Sequence, residues 1–264
     1  RGLGDVYKRQ VQDLLLMVEG HVETAEWMAD DPNIALLSAT GSTEMGYSLA
    51  PRVGMRLGKS LYELGGNNAM VVSKDANLDL AIRGIVFSAV GTCGQRCTTL
   101  RRLIVHEDIY DQVVPKLVSA YSTLPIGDPM DQKNLVGPLI NAEALKRMQD
   151  VLGHCKLKGY EVHGGQPLPQ LGDAFVKPAI VETSDQCELV KTETFAPILY
   201  VMKYTELDEA IRLQNGVSQG LSSCIFTDNV QEAETFISAV GSDCGIVNVC
   251  LLYTSPSPRD PIGS

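Results

Sequence analysis

Apolar residues recur along this chain at two periods, one suited to strands and one to helices. The run 34–38 (IALLS) is short and continuous and ends in Ala39-Thr40-Gly41, which reads as a strand closed by a glycine turn. Beyond Gly41, the residues Met45, Leu49, Val53 and Leu57 follow at a spacing of four, the stripe of a helix with one buried face. The same alternation continues. Strands are predicted over 60–64, 69–73, 103–106, 200–203, 223–226 and 245–249, and helices over 78–88, 109–121, 142–156, 207–214 and 230–238. Strands that alternate with helices imply an α/β fold with a largely parallel sheet, because a parallel neighbour needs a crossover long enough to hold a helix.

Both ends depart from the pattern. Residues 1–10 (RGLGDVYKRQ) fit neither period, and 250–264 carries Pro256, Pro258 and Pro261 in a Ser/Gly context. They are expected to be a non-native head and tail and are set aside. The 264 residues, 44% hydrophobic and 20% charged, have the composition of a globular protein with an ample core. A net charge of −10 argues against nucleic acid or an anionic membrane as partner. Seven cysteines form no paired framework, so reduced thiols and a cytoplasmic setting are expected. His21, His106, His154 and His163 are scattered in sequence, and no metal is expected.

Four stretches carry candidate chemistry. Thr40-Gly41-Ser42-Thr43-Glu44-Met45-Gly46 places a glycine turn at a helix start, where outward N–H groups and the helix dipole suit a pyrophosphate; Ser42 or Thr43 equally reads as an ordinary cap. Glu63-Leu64-Gly65-Gly66 sets an acid at a strand end beside backbone that a ligand can approach closely, or a strand-ending turn with a solvated acid. In Gly91-Thr92-Cys93-Gly94-Gln95-Arg96-Cys97, the arginine before Cys97 would favour its thiolate, and these polar neighbours do not describe a core cysteine. Cys93 reads as a small buried residue, with a disulfide to Cys97 as the alternative if the chain turns tightly there. In Glu193-Thr194-Phe195-Ala196-Pro197, an acid stands two residues before an aromatic, either to take a ribose and a flat heterocycle or as a loop acid beside a core ring.

In this order and at these separations, the Gly-Ser-Thr-x-x-Gly, Glu-Leu-Gly-Gly, Gly-Gln-x-Cys and Glu-x-Phe-x-Pro motifs resemble the aldehyde dehydrogenase superfamily. The wording ELGGNNAM, FSAVGTCGQRCTTLRRLIVH and TETFAPILYV resembles its antiquitin-like branch, the α-aminoadipic semialdehyde dehydrogenases. The resemblance implies that Cys97 attacks an aldehyde, that hydride passes to NAD (NADP not excluded), and that Glu63 activates water to release the acid. It places Gly41, Ser42 and Gly46 at the pyrophosphate, Leu64 at the carboxamide, Glu193 at the nicotinamide ribose and Phe195 beside the nicotinamide. Arg96 is implied to meet the carboxylate of a semialdehyde substrate.

The implied organisation is the second half of a Rossmann-like NAD-binding domain over 11–66 and a catalytic domain over 67–249. The parent protein is expected to be a homo-oligomer. The family's adenosine-ribose lysine and oxyanion-hole asparagine have no counterpart here, so the chain is expected to be a truncated and inactive piece. Two other readings stay open: a cofactor-free thiol hydrolase or acyltransferase, which would want a histidine such as His106 near the thiol, and a non-catalytic scaffold.

Overall fold

The computed structural model describes residues 16–250. The expected head and, apart from Cys250, the expected tail lie outside the described residues. The chain divides into two compact units, one ending at Leu64 and the other starting at Gly65.

In the first unit α1 (Val22–Asp30) is followed by β1 (Leu36–Thr40), α2 (Thr43–Met55) and β2 (Lys59–Glu63). The two strands are parallel, with Thr40 opposite Glu63. Ala29, Leu37, Leu49 and Val53 form the unit's core, so the predicted helical stripe does face inward. Its last member, Leu57, is exposed, because α2 ends at Met55 and Leu57 turns into the left-handed region at φ 56°. Arg52 ties α2 to α1 through Glu26 at 3.2 Å and Asp30 at 2.8 Å. Strand β1 begins two residues later than the apolar run suggests. The Ile34 N–H donates to the Asp31 carbonyl at 3.2 Å, which uses Ile34 to close a turn around Pro32.

The second unit holds β3 (Asn68–Val72), α3 (Leu78–Val90), β4 (Leu100–His106), α4 (Glu107–Ser122), α5 (Ala142–Leu157), β5 (Glu161–Gly164) and β6 (Ala179–Glu182). It continues with α6 (Glu188–Lys191), β7 (Ile198–Tyr204), α7 (Leu207–Asn215), β8 (Ser222–Phe226), α8 (Val230–Ile237) and β9 (Ile246–Val249). Seven strands make one sheet in the order β5-β6-β7-β4-β3-β8-β9, parallel except for the β5–β6 pair. Strands β3, β4 and β8 are buried at every residue, as central strands of a parallel sheet covered on both faces must be. Asparagines start α3, α5 and α8: Asn77, Asn141 and Asn229 each accept from a first-turn N–H, filling a bond the helix cannot supply itself.

Candidate active site

The glycine turn of the first unit lies where β1 meets α2. Ser42 is the N-cap of α2, and its Oγ accepts the Met45 N–H at 3.1 Å. Capping is therefore met by this side chain, while the remaining first-turn N–H groups have no helical carbonyl to bond. The Gly41 N–H donates to the Glu63 carbonyl at 3.0 Å, which joins the turn to the end of β2. Gly46 is where α2 lies against Leu64: a Cβ there would come within 2.5 Å of Leu64 Cδ1. Gly41, Ser42, Gly46, Glu63 and Leu64 thus gather at the carboxyl end of the two strands, and Glu63 is exposed. That end is where open parallel sheets bind ligands.

The cysteine loop of the second unit runs from α3 to β4. Thr92 and Cys93 both adopt left-handed backbone, at φ 56° and 53°, and Gly94 follows at φ 69°. Side chains make that conformation costly, so the loop is held by its surroundings. Gln95 donates to the carbonyls of Thr92 and Pro138, each at 3.2 Å, and accepts the Ile140 N–H at 2.8 Å. Cys97 is half-buried and Cys93 is fully buried; both are free thiols. Burial pushes the Cys93 thiol up to about 12, so it stays protonated at neutral pH. Arg96 bonds the Thr92 hydroxyl and lies 5.8 Å from the centre of the Phe87 ring.

The third stretch meets the second through main chain. A Cβ on Gly94 would fall 2.5 Å from the backbone of Ala196 and Pro197, so only glycine allows the two loops to touch. A side chain on Gly65 would run into the Glu193 carboxylate. Phe195 is about half exposed, and the Arg101 guanidinium stands 5.2 Å from its ring centre.

Two residues missed in the sequence, Arg101 and Asn68, organise these loops, and a third, Arg102, anchors β4 beside them. Arg101 is 2% exposed and pairs with Glu193 at 2.9 Å. Burial pushes its guanidinium down, while Glu193 and the Cys97 sulfur favour its charge. Its neighbour Arg102, on the opposite face of β4, bonds the carbonyls of Asn67, Leu213 and Gln214 and the side chain of Gln186. Asn68 Nδ2 donates to the carbonyls of Cys97 at 2.7 Å and Thr99 at 2.9 Å. Two adjacent arginines at a strand start look like surface residues, and no apolar pattern flags them.

His106, the histidine a thiol hydrolase would need, accepts the Asp108 N–H at 3.2 Å and packs edge-on against Tyr204. Away from these loops, His163 lies 2.8 Å from Glu182 and 3.6 Å from Glu161. The sequence had shown no such grouping, because cross-strand pairing of β5 and β6 creates it.

The architecture is Rossmann-like α/β. It matches PnpE of Pseudomonas sp. WBC-3, solved in complex with nicotinamide adenine dinucleotide, at a TM-score of 0.82 and 28% identity, covering 88% of this chain and 48% of that one. Lactaldehyde dehydrogenase from Escherichia coli matches at a TM-score of 0.83 and 31% identity, again over 88% of this chain and 48% of its own. The sequence profile of the aldehyde dehydrogenase family matches residues 12–262, and the chain belongs to that family. Alpha-aminoadipic semialdehyde dehydrogenase of Bos taurus is 45% identical over 232 residues, which are 87% of this chain and 43% of the bovine protein. This chain therefore spans less than half the length of that relative.

Proposed function

We propose that the chain supplies the nucleophile and the nicotinamide-side cofactor contacts of an NAD(P)-dependent aldehyde dehydrogenase whose substrate is a semialdehyde such as α-aminoadipic semialdehyde. One observation carries the reading: the Gly65-Gly66 turn, the Cys97 loop and the Glu193–Phe195 loop all converge on Arg101. Three of the four motifs read from the sequence are thereby held in one place, as a single site requires. Family membership and the bovine relative's name favour the semialdehyde.

NAD, when bound, supplies the hydride acceptor. The residues fit such a group: a capped helix start with spare N–H donors at Ser42, a side-chain-free approach at Gly65, and an acid and an aromatic at Glu193 and Phe195. Gly41, Ser42 and Gly46 would hold the pyrophosphate, the Leu64 carbonyl the carboxamide, and Glu193 the ribose. The Cys97 sulfur attacks the aldehyde carbon, and the resulting oxyanion is met by the Cys97 N–H. Once the carbon stands at the thioester level, Glu63 takes a proton from water as the water oxygen bonds that carbon. The C–S bond then breaks, releasing the carboxylic acid and the Cys97 thiolate. Arg96 would meet the substrate's distal carboxylate.

The same reading keeps the domain division at residue 66, a homo-oligomeric parent and a cytoplasmic setting, which free cysteines favour. Among the described residues no helix is long and apolar enough to cross a membrane. The test is Cys97→Ala in protein of the relatives' full length. Aldehyde-dependent NADH formation should vanish while NAD still binds; a variant that keeps turning over would remove Cys97 from its role. A hydrolase or acyltransferase would instead act without NAD.

A further inference from the structure

We propose that Arg101 is a positioning residue for cofactor binding: it clamps one oxygen of Glu193 and so presents the other to the vicinal hydroxyls of the ribose. The inference rests on the reading of Glu193 as the ribose ligand.

A guanidinium has five N–H donors in a rigid plane, and each donor of Arg101 has an acceptor. Nε donates to the Gly66 carbonyl at 3.3 Å. Nη1 donates to the carbonyls of Gly94 at 3.3 Å and Thr194 at 2.8 Å. Nη2 donates to the Arg96 carbonyl at 3.2 Å and to Glu193 Oε1 at 2.9 Å. Four acceptors are main-chain groups fixed by three loops, so the guanidinium cannot turn. The fifth is a side chain that is 22% exposed, against 2% for Arg101. A rigid buried cation thus holds a carboxylate that solvent reaches.

The other carboxylate oxygen, Oε2, faces the side-chain-free Cα of Gly65. With Oε1 taken, Oε2 is the oxygen left to accept from a sugar hydroxyl. A carboxylate locked in one rotamer also avoids the entropy of ordering a free glutamate on binding. Lysine would keep the charge and lose the fork, since one ammonium cannot reach acceptors on three loops in one plane.

The experiment is a double-mutant cycle on NAD affinity, measured by calorimetry in protein of the relatives' full length, with Arg101→Lys, Glu193→Gln and the double variant. A charge-assisted bond of this kind corresponds to about tenfold or more in affinity, so each single variant should weaken NAD binding by that factor. The double variant should be no weaker than Glu193→Gln by more than about threefold, because Arg101 acts through Glu193. In Arg101→Lys the KM for NAD should rise by a larger factor than kcat falls or than the KM for aldehyde rises. A merely structural residue would not produce that split.

Losses that multiply in the double variant, or normal NAD affinity in Arg101→Lys, would overturn the proposal and leave Glu193 as ribose ligand. Normal affinity in Glu193→Gln would remove the ribose reading and the proposal with it. Should Arg101→Lys fail to fold, a structure of the unaltered protein with NAD decides. Glu193 bonded to both Arg101 and the ribose supports the clamp, and Glu193 swung away from Arg101 overturns it.

Discussion

The side-chain amide of Asn68 donates to the main-chain carbonyl of Cys97 at 2.7 Å. The same amide reaches the Thr99 carbonyl, and its oxygen accepts the N–H groups of Leu221 at 3.1 Å and Ser222 at 2.9 Å. One buried side chain at the start of β3 thus pins the cysteine loop on one side and the entry to β8 on the other.

Replacing Asn68 with Asp removes both donors and sets a carboxylate against two carbonyls in a site only 2% exposed. The expected cost is about 1–3 kcal/mol for the stranded polar groups, and more if the buried carboxylate stays charged. Urea denaturation checks it through the midpoint. A midpoint equal to that of the unaltered protein would show that the loop is held by other contacts.

Two glycines should respond to alanine through different contacts. At Gly65 the added methyl meets the Glu193 carboxylate, which can move only by giving up its bond to Arg101; Gly65→Ala should cost about 1.5–3 kcal/mol of stability and weaken NAD binding about tenfold. At Gly94 the methyl meets the backbone of Ala196 and Pro197, and φ is already 69°, so Gly94→Ala should cost about 2 kcal/mol or more. Denaturation and NAD titration on both variants check the account. Unchanged NAD affinity in Gly65→Ala, or an unchanged denaturation midpoint in Gly94→Ala, would contradict it.

Much of the fold was legible because apolar periodicity follows burial, and the central strands β3 and β8 obey it. The pattern failed where burial is polar, and also at β6 (Ala179–Glu182), whose apolar run of three is too short to stand out as a strand. Strand β4 begins at Leu100 rather than at residue 103 because Arg101 and Arg102 are buried there by bonds to carbonyls. Strand β5 (Glu161–Gly164) carries no apolar run, and α1 is largely exposed. Cys97, Glu193 and Glu63 stood out because their motifs are local in sequence. Asn68 and Arg101 did not, because their partners lie up to 154 and 93 residues away. The left-handed pair Thr92-Cys93 was invisible for a related reason: neither residue type advertises positive φ.

Cys93 should leave a signature at alkaline pH. The unfolded thiol ionises near its ordinary 9.0, whereas burial pushes the folded thiol up to about 12. A raised folded pKa means that its stabilising contribution is complete below pH 9.0 and is lost as pH rises toward about 12. Replacing Cys93 with Ala should therefore remove about 1.4 kcal/mol per pH unit from the fall in stability across that window. Buried tyrosines such as Tyr110 and Tyr204, whose hydroxyls burial also pushes up, account for the slope that remains. Denaturation at several pH values above 9 measures it. Parallel curves for the two proteins would mean that Cys93 ionises in the fold as readily as outside it.

The central claim is that aldehyde is oxidised on Cys97 and released by Glu63. Its most direct test is mass spectrometry of the Glu63→Gln variant, in protein of the relatives' full length, quenched shortly after mixing with NAD and a semialdehyde. The account predicts a burst of NADH and then slow turnover, with the acyl mass added to the peptide that carries Cys97. No acyl mass at Cys97 despite NADH formation, or equal loss of burst and steady state, would contradict it.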